Sequence, residues 1–429
     1  MSSRLVIKNG RVMDPASGFD AVADVAIENE VIKQVGANID ATGAEVIDAT
    51  GLIVAPGFID MHVHLREPGG EHSETIETGV NAAAAGGFTT VCCMPNTNPV
   101  NDSAMVTNYI LEKARRLNSV TVYPIGAITK GSLGEELASI GSMKQAGIVA
   151  ISDDGKPVMN ARVMRRAMEY AKAFHIPVIQ HCEDLHLSHG GDMHEGMESV
   201  RLGLRGIPAC SEDVMVARDI LLTEVTGARY HVAHLSTKNS VAMVAFAKAK
   251  GLPVTCEVTP HHFALADSDV LPYDSNYKMK PPLRSGPHVQ GCIDGIVAGT
   301  VDALATDHAP HSGADKMQEF ERCPFGILGL ETAIPLSLHH LVHPGRISLM
   351  KMIALYTTGP AGVLRLDRGS LRVGAQADVT IFSATQKFIY DVNKSKSKSR
   401  NSPFHGHEYV GGQATAIVAG RVVGSTLMS

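Results

Sequence analysis

Apolar positions in the first fifty residues come in short bursts. Leu5-Val6-Ile7, Val25-Ala26-Ile27, Val31-Ile32 and Val46-Ile47 stand between turn-forming Asn-Gly, Glu-Asn and Ala-Thr-Gly steps. Short β-branched runs bounded in this way read as strands. The same texture returns in residues 377–382 and 415–423. Between these ends it gives way to apolar runs of five to eight residues, at 57–64, 88–94, 120–127, 148–152, 177–181, 229–235, 253–258 and 301–306. Most are separated by stretches in which apolar residues recur every three or four positions, such as 158–175 and 211–226, which read as helices. Eight strands alternating with helices predict an α/β fold, a TIM-like (β/α)8 barrel. The chain ends predict a small β-sandwich domain assembled from both termini. The expected divisions are 1–55 and 366–429 for the sandwich and 56–365 for the barrel. A doubly wound open sheet is the rival, but no Gly-x-Gly-x-x-Gly turn opens a helix after the first strand. The basic, low-complexity run Lys394-Ser-Lys-Ser-Lys-Ser-Arg-Asn401 reads as a solvated loop.

Composition changes this picture little. With 429 residues, 44% hydrophobic and 19% charged, the chain can bury the core of a barrel and a smaller module. A net charge of −6 gives no reason to expect nucleic acid or an anionic membrane as partner. Seven cysteines, none in a Cys-x-x-Cys pair, point to a reducing compartment and hence a cytoplasmic protein. Residues 1–10 lack an apolar signal core and read as a strand, and no window approaches a membrane span.

Histidine is abundant, at twenty residues, and several fall at strand ends. The first barrel strand closes on His62-Val63-His64, and residues two apart on a strand face the same way. The fourth ends in Ser152-Asp153-Asp154-Gly155, the fifth in His181, the sixth in His234, the eighth in Asp307-His308. In a barrel these ends meet at one mouth. Four imidazoles and one or two carboxylates are too many for one tetrahedral ion with an open position; they suit two divalent cations, and nitrogen and oxygen donors without thiolate favour zinc. Two bound Zn2+ would ionise water near neutral pH and supply a hydroxide nucleophile.

The His-x-His pair, the single histidines after strands five and six, and the final aspartate resemble the amidohydrolase superfamily. Within it, His62-Val-His64-Leu-Arg66-Glu-Pro-Gly69, Met94-Pro-Asn96-Thr-Asn98-Pro99, Thr306-Asp-His-Ala-Pro-His311 and Lys398-Ser-Arg400-Asn401-Ser-Pro-Phe404 resemble dihydroorotases. The resemblance implies reversible cyclisation of N-carbamoyl-L-aspartate to L-dihydroorotate in pyrimidine biosynthesis. It implies that His62, His64 and Asp307 hold one ion and that His181 and His234 hold the second. Many superfamily members bridge the pair with a carboxylated lysine from strand four. Here Lys156 comes only after the turn, which matches the longer, type I dihydroorotases with a bridging aspartate. Asp154, beside Gly155, is the choice over Asp153, which is then left to cap a loop or support the site from behind. Asp307 is also the expected proton carrier.

For substrate, the resemblance points to His64, Arg66, Asn96, His311, Phe325 and Gly326, with Lys280 where relatives place an asparagine. A planar guanidinium at Arg66 suits a carboxylate. His261 and His262, after strand seven, are given no role. The rivals are a hydantoinase- or allantoinase-like amidohydrolase and a non-catalytic partner of aspartate transcarbamoylase. Arg66 and the missing strand-four lysine speak against the first, the complete ligand set against the second. A homo-oligomer, in some relatives joined to aspartate transcarbamoylase, completes the expectation.

Overall fold

Strand Arg4–Asp14 organises the chain ends. In a computed structural model that describes residues 4–270 and 273–427, it pairs antiparallel with Phe19–Glu28 along its whole length. Its other edge is divided. Leu5 to Lys8 run parallel to Glu45–Asp48, and Arg11 and Val12 run parallel to Ile53–Pro56, with an irregularity between Ile7 and Gly10. A break of this kind lets one strand serve two directions of a bent sheet. Ile53–Pro56 then pairs with Val379–Phe382, which pairs with Ala414–Val418 and that with Arg421–Ser425. Among the described residues, eight strands from the two chain ends thus form one sheet. Its halves share a core of Ile7, Val12, Val25, Ile27, Ile47, Val54, Val379, Ile381 and Ile417. Residues 1–3 of the expected first strand lie outside the described residues.

The barrel begins one residue after this sheet. Strand one is Phe58–Val63, strand two Phe88–Cys93 and strand three Thr121–Pro124, all parallel. Strands five to eight are Val178–Gln180, Tyr230–Val232, Val254–Val258 and Ala303–Leu304, again parallel. Two seams close the ring. Ile151 bridges Gly126 on one side and Val178 on the other, and His308 bridges Val63. The run 148–152 is therefore a single bridging residue rather than a regular strand. Its main chain still bonds both neighbours, Ser152 N to Gly126 O at 2.9 Å and Ile179 N to Ile151 O at 2.8 Å among others, but Pro124 and Pro177 have no N–H to extend either ladder.

The helices follow from the three-to-four spacing. Ala161–Ala173 buries Met164, Ala167, Met168 and Ala171, one face of a helix, and begins at Asn160, whose side chain accepts from the amides of Arg162 and Val163. It is shorter at both ends than the run 158–175, because Asn160 caps one end and the chain leaves the helix at Phe174. Cys210–Thr226 lies within a residue of its expected span. The sheet grips the barrel base directly: Gly57 N donates to Asp378 O at 2.8 Å, and Thr380 Oγ1 links Phe58 N to Gly87 O. No described helix is long and apolar enough to cross a membrane.

Candidate metal centre and substrate mouth

Alternation along strand one turns Asp60, His62 and His64 to one side, and all three are buried. Asp60 accepts from the amides of His62 and Thr306, both at 3.1 Å, which ties strand one to strand eight; burial pushes its carboxyl up to about 6. Just past the strand ends the chain turns sharply. Arg66, His234 and Asp307 all have positive φ, at 60°, 31° and 46°, a region that costs free energy for residues other than glycine. The effect is to aim these side chains inward instead of along the strand.

At the centre, His62 Nε2 lies 3.4 Å from Asp154 Oδ2 and 3.5 Å from Asp307 Oδ1. His64 Nε2 is 2.9 Å from Asp307 Oδ1 and 3.5 Å from Asp154 Oδ2. On the far side, Asp154 Oδ1 is 3.3 Å from His234 Nε2 and 3.8 Å from His181 Nδ1. Asp154 thus stands between two groups, His62–His64–Asp307 and His181–His234. Asp153 turns the other way, accepting from the amides of Ile128 at 2.8 Å and Thr129 at 3.0 Å and from the Thr129 hydroxyl, so that it fastens the loop after strand three.

The outer nitrogens of three rings fix their tautomers. His62 Nδ1 meets Glu257 Oε1 at 2.6 Å, His64 Nδ1 meets Asn96 Oδ1 at 2.9 Å, and His181 Nε2 meets Glu183 Oε2 at 2.9 Å. Each partner oxygen accepts, so in the neutral ring the outer nitrogen carries the hydrogen and leaves the inner one a lone pair; at His64 the Asp307 oxygen, 2.9 Å from Nε2, competes for that hydrogen. His181 Nδ1 and His234 Nε2 approach to 2.9 Å, and buried His62 Nε2 and Asp154 Oδ1 have no hydrogen-bond partner. Bare imidazole nitrogens and carboxylate oxygens facing one another without a hydrogen between them are what a cation satisfies, and the donor set is the nitrogen–oxygen set that divalent metals take. Burial opposes ionisation of Asp154 and Asp307, but a protonated His62, with hydrogen bonds from His234 and His64, outweighs it and holds both carboxyls below the usual range; a cation bound there would take the place of that proton.

Above this buried centre the side chains become partly exposed. Arg66 Nε donates to Pro310 O at 3.1 Å, and burial pushes its guanidinium down to about 10. His311 Nε2 lies 2.8 Å from Phe325 O and 3.2 Å from Arg66 Nη2. A carbonyl only accepts, so His311 donates to Phe325 and cannot also accept from Arg66, whose outer N–H is left for another acceptor. Gly326 packs against this ring: a Cβ there would fall 2.6 Å from His311 Cδ2 and 2.5 Å from Ala309 O. Lys280 does not point to solvent. Its Nζ is 2.9 Å from Glu183 Oε1 and 5.0 Å from the centre of the Phe325 ring. Arg66, Asn96, Lys280 and His311 together form a rim of nitrogen-bearing side chains over the histidine–aspartate centre.

Several residues of this assembly had signals that strand-end reasoning passed over. Glu257 is an acid within the apolar strand Val254–Val258, and Glu183 follows His181 at the same two-residue spacing as His62 and His64. His262 is held from both sides, Nδ1 by Thr259 Oγ1 at 2.7 Å and Nε2 by Pro281 O at 3.0 Å, whereas His261 Nε2 is buried without a partner. The run 394–401 is not a solvated loop. Ser395, Ser397, Ser399 and Asn401 are buried and the basic residues between them exposed. The Ser397 hydroxyl binds Glu74, Ser399 Oγ donates to Ser73 O at 2.6 Å, and Asn401 Nδ2 donates to Ala309 O and Gly326 O. Side chains alternate along an extended segment, so lysines face out while serines anchor the mouth.

The family model described as dihydro-orotase-like matches residues 51–240, and one described as amidohydrolase family matches 295–423. The dihydroorotase of Solibacter usitatus (strain Ellin6076) is 68% identical over 416 residues, 97% of either chain. The chain belongs to the dihydroorotase family. The dihydroorotase of Pelotomaculum thermopropionicum (strain DSM 13744 / JCM 10971 / SI) is 52% identical, covering 98% of both chains. Among solved structures, L-hydantoinase (dihydropyrimidinase) from Arthrobacter aurescens superposes with a TM-score of 0.89 at 25% identity, over 99% of this chain and 96% of that one. The D-hydantoinase (dihydropyrimidinase) from Thermus sp. gives 0.83 at 26%, over 98% and 95%. The barrel and sheet are thus shared across cyclic amide hydrolases, while sequence identity two to three times higher lies with the dihydroorotases. As a family member the chain is a metal-dependent cyclic amide hydrolase.

Proposed function

We propose that this chain interconverts N-carbamoyl-L-aspartate and L-dihydroorotate in pyrimidine biosynthesis, at the buried histidine–aspartate centre. The observation that carries this reading is the pairing of that centre, with its inward lone pairs, to a rim of nitrogen donors suited to a carboxylate. His62, His64 and Asp307 would hold one divalent cation and His181 and His234 a second, with Asp154 shared, and the donor set favours zinc. Bound cations supply a water that ionises near neutral pH and draw electron density from the carbonyl under attack.

The chain's own residues do the rest. Asp307 takes the proton of the attacking water and delivers it to the ring nitrogen, which leaves poorly unless protonated. In the ring-closing direction the same carboxylate removes a proton from the carbamoyl nitrogen. Arg66 takes the substrate carboxylate, with Asn96 and His311 beside it, and the Phe325–Gly326 backbone meets the ring. Glu183 holds Lys280 at the rim, where its ammonium can meet a substrate carbonyl or carboxylate. Strand four without a lysine supports the type I subgroup. In this reading residues 56–365 carry the chemistry, and 1–55 with 366–429 form its supporting domain. Cysteine usage supports a cytoplasmic enzyme, and the family resemblance supports a homo-oligomer, joined in some relatives to aspartate transcarbamoylase.

The test is purified protein with dihydroorotate, following loss of the ring's absorbance. Activity is expected, and chelator treatment should abolish it. Dihydrouracil, which lacks the carboxylate, should be a far poorer substrate, since an unpaired buried arginine costs ~1–3 kcal/mol or more. Equal rates on both compounds would count against Arg66 as the carboxylate anchor.

A further inference from the structure

The turn that carries Phe325 and Gly326 has no regular secondary structure, yet its carbonyls are met by buried side chains. Lys316 Nζ donates to Pro324 O at 3.0 Å and Gly326 O at 3.2 Å. Asn401 Nδ2 also reaches Gly326 O, at 3.0 Å, and Gly326 N donates to Lys278 O at 2.9 Å. Lys278 Nζ holds the start of the same loop through Phe320 O at 2.5 Å and Glu321 O at 3.1 Å. The two lysines differ in one respect. Lys278 has a carboxylate, Asp192 Oδ1 at 3.3 Å, whereas among the described residues Lys316 makes no ion pair. Only 7% of Lys316 is exposed, and its hydrogen bonds go to main-chain carbonyls, the Asp274 carboxylate acting on it only from beyond ion-pair distance.

Burying an ammonium without a carboxylate in contact is costly, and an apolar side chain of similar volume would serve stability as well or better. What an apolar side chain cannot do is fix the direction of two carbonyls. We propose that Lys316 is a positioning residue whose ammonium locks the Pro324–Gly326 turn so that the Phe325–Gly326 backbone and His311 present one geometry to substrate. The inference rests on the reading above that this turn meets the substrate.

It has a pH signature. Burial pushes Lys316 down to about 8, the Cys323 side chain opposes this only as a thiolate, Lys278 adds to the effect and the Asp274 carboxylate opposes it. His311 also faces the ammonium and is pushed down to about 2, so it stays neutral. Burial pushes the Cys323 thiol up. Below pH 8 the lysine is charged and its bonds are charge-assisted, roughly twice as strong as neutral ones. Above pH 8 the grip weakens. The stability contribution runs the opposite way. Between pH 8 and the ordinary lysine range the folded state holds fewer protons than the unfolded chain, so this group adds stability as pH rises. A loss of substrate affinity above pH 8 therefore cannot be loss of fold through Lys316.

The experiment measures KM and kcat for dihydroorotate hydrolysis between pH 7 and 9.5, with metal-replete wild type, Lys316→Arg, Lys316→Met and Gly326→Ala, together with hydrogen exchange in residues 320–326. Lys316→Met should raise KM about tenfold at pH 7.5 through loss of charged hydrogen bonds, with kcat little changed and exchange in the loop faster. Wild-type KM should climb above pH 8, while Lys316→Arg, which keeps its charge, stays flat. Wild-type KM and exchange in Lys316→Met would overturn the proposal, as would a fall in kcat with KM unmoved. Gly326→Ala pushes a methyl group into His311 and should raise KM. If it does and Lys316→Met does not, the lysine's role alone fails; if Gly326→Ala leaves KM untouched, the reading of the turn as a substrate contact fails. Should Lys316→Met not fold, superimposable pH profiles for wild type and Lys316→Arg would overturn the proposal by themselves.

Discussion

His62, a proposed metal ligand, shows how one buried ring is oriented by its neighbours. Glu257 sits between two imidazoles, Oε1 at 2.6 Å from His62 Nδ1 and Oε2 at 3.2 Å from His231 Nε2, and all three residues are wholly buried. The carboxylate can only accept, so it holds the His62 hydrogen on the outer nitrogen. Glu257→Gln would offer an N–H in its place and allow the opposite tautomer. Its expected effect is a ~10–100-fold loss of metal affinity, read by competition with a chromogenic chelator; unchanged affinity would mean that the tautomer is set elsewhere. Asp154→Asn removes the negative charge between the two ligand groups and should cost both metal and activity, by elemental analysis and turnover. Asp153→Asn should be milder, loosening only the amides of Ile128 and Thr129. The histidines were legible because chemistry at strand ends repeats. Glu257 and Glu183 were harder to see, because their importance lies in which ring nitrogen they touch, and that depends on strands separated by up to 195 residues.

Among the elements, the segment 394–401 departs most from its sequence. Its composition is that of a solvated loop, and period two means nothing unless a surface lies against one side. That surface comes from Ser73 and Glu74, more than 320 residues earlier, and from the strand-eight loop. Glu74 is buried and gathers the Ser397 hydroxyl, the Lys398 amide at 2.9 Å and His308 Nε2 at 3.4 Å. Ser397→Ala should therefore lower stability by ~1–3 kcal/mol, the cost of leaving a buried polar group short of a partner, while kcat stays near wild type. Urea unfolding of the metal-replete enzyme measures it. A fall in kcat without any change in stability would place Ser397 closer to the chemistry than its contacts do.

Across the whole molecule, the alternation of short apolar runs with helical stretches was enough to find the barrel, because each βα unit is local. Joining the two chain ends into one sheet was suggested only by their shared texture; the pairing of Ile53–Pro56 with Val379–Phe382 is a contact that no local pattern encodes. With two ligand groups sharing Asp154, protein prepared without chelator should contain up to two equivalents of metal, mainly zinc, by elemental analysis. Because the shared group carries its own carboxylate, metal-free protein should regain activity with zinc as well in degassed buffer as in bicarbonate. A requirement for bicarbonate would point to a carboxylated lysine instead.

The seam at Ile151 gives that last point a history. Residues 149–152 bond both neighbours, but Pro124 and Pro177 cut each ladder short, so the fourth position of the ring is paired over the shortest length. A shift of the backbone there disturbs fewer paired residues than one in strand one or seven. Asp154, the proposed bridge, is thus mounted on the most briefly paired stave, where an exchange of aspartate for lysine would leave the other proposed ligands in place. Evolutionary freedom and catalytic necessity meet at one loosely stitched position.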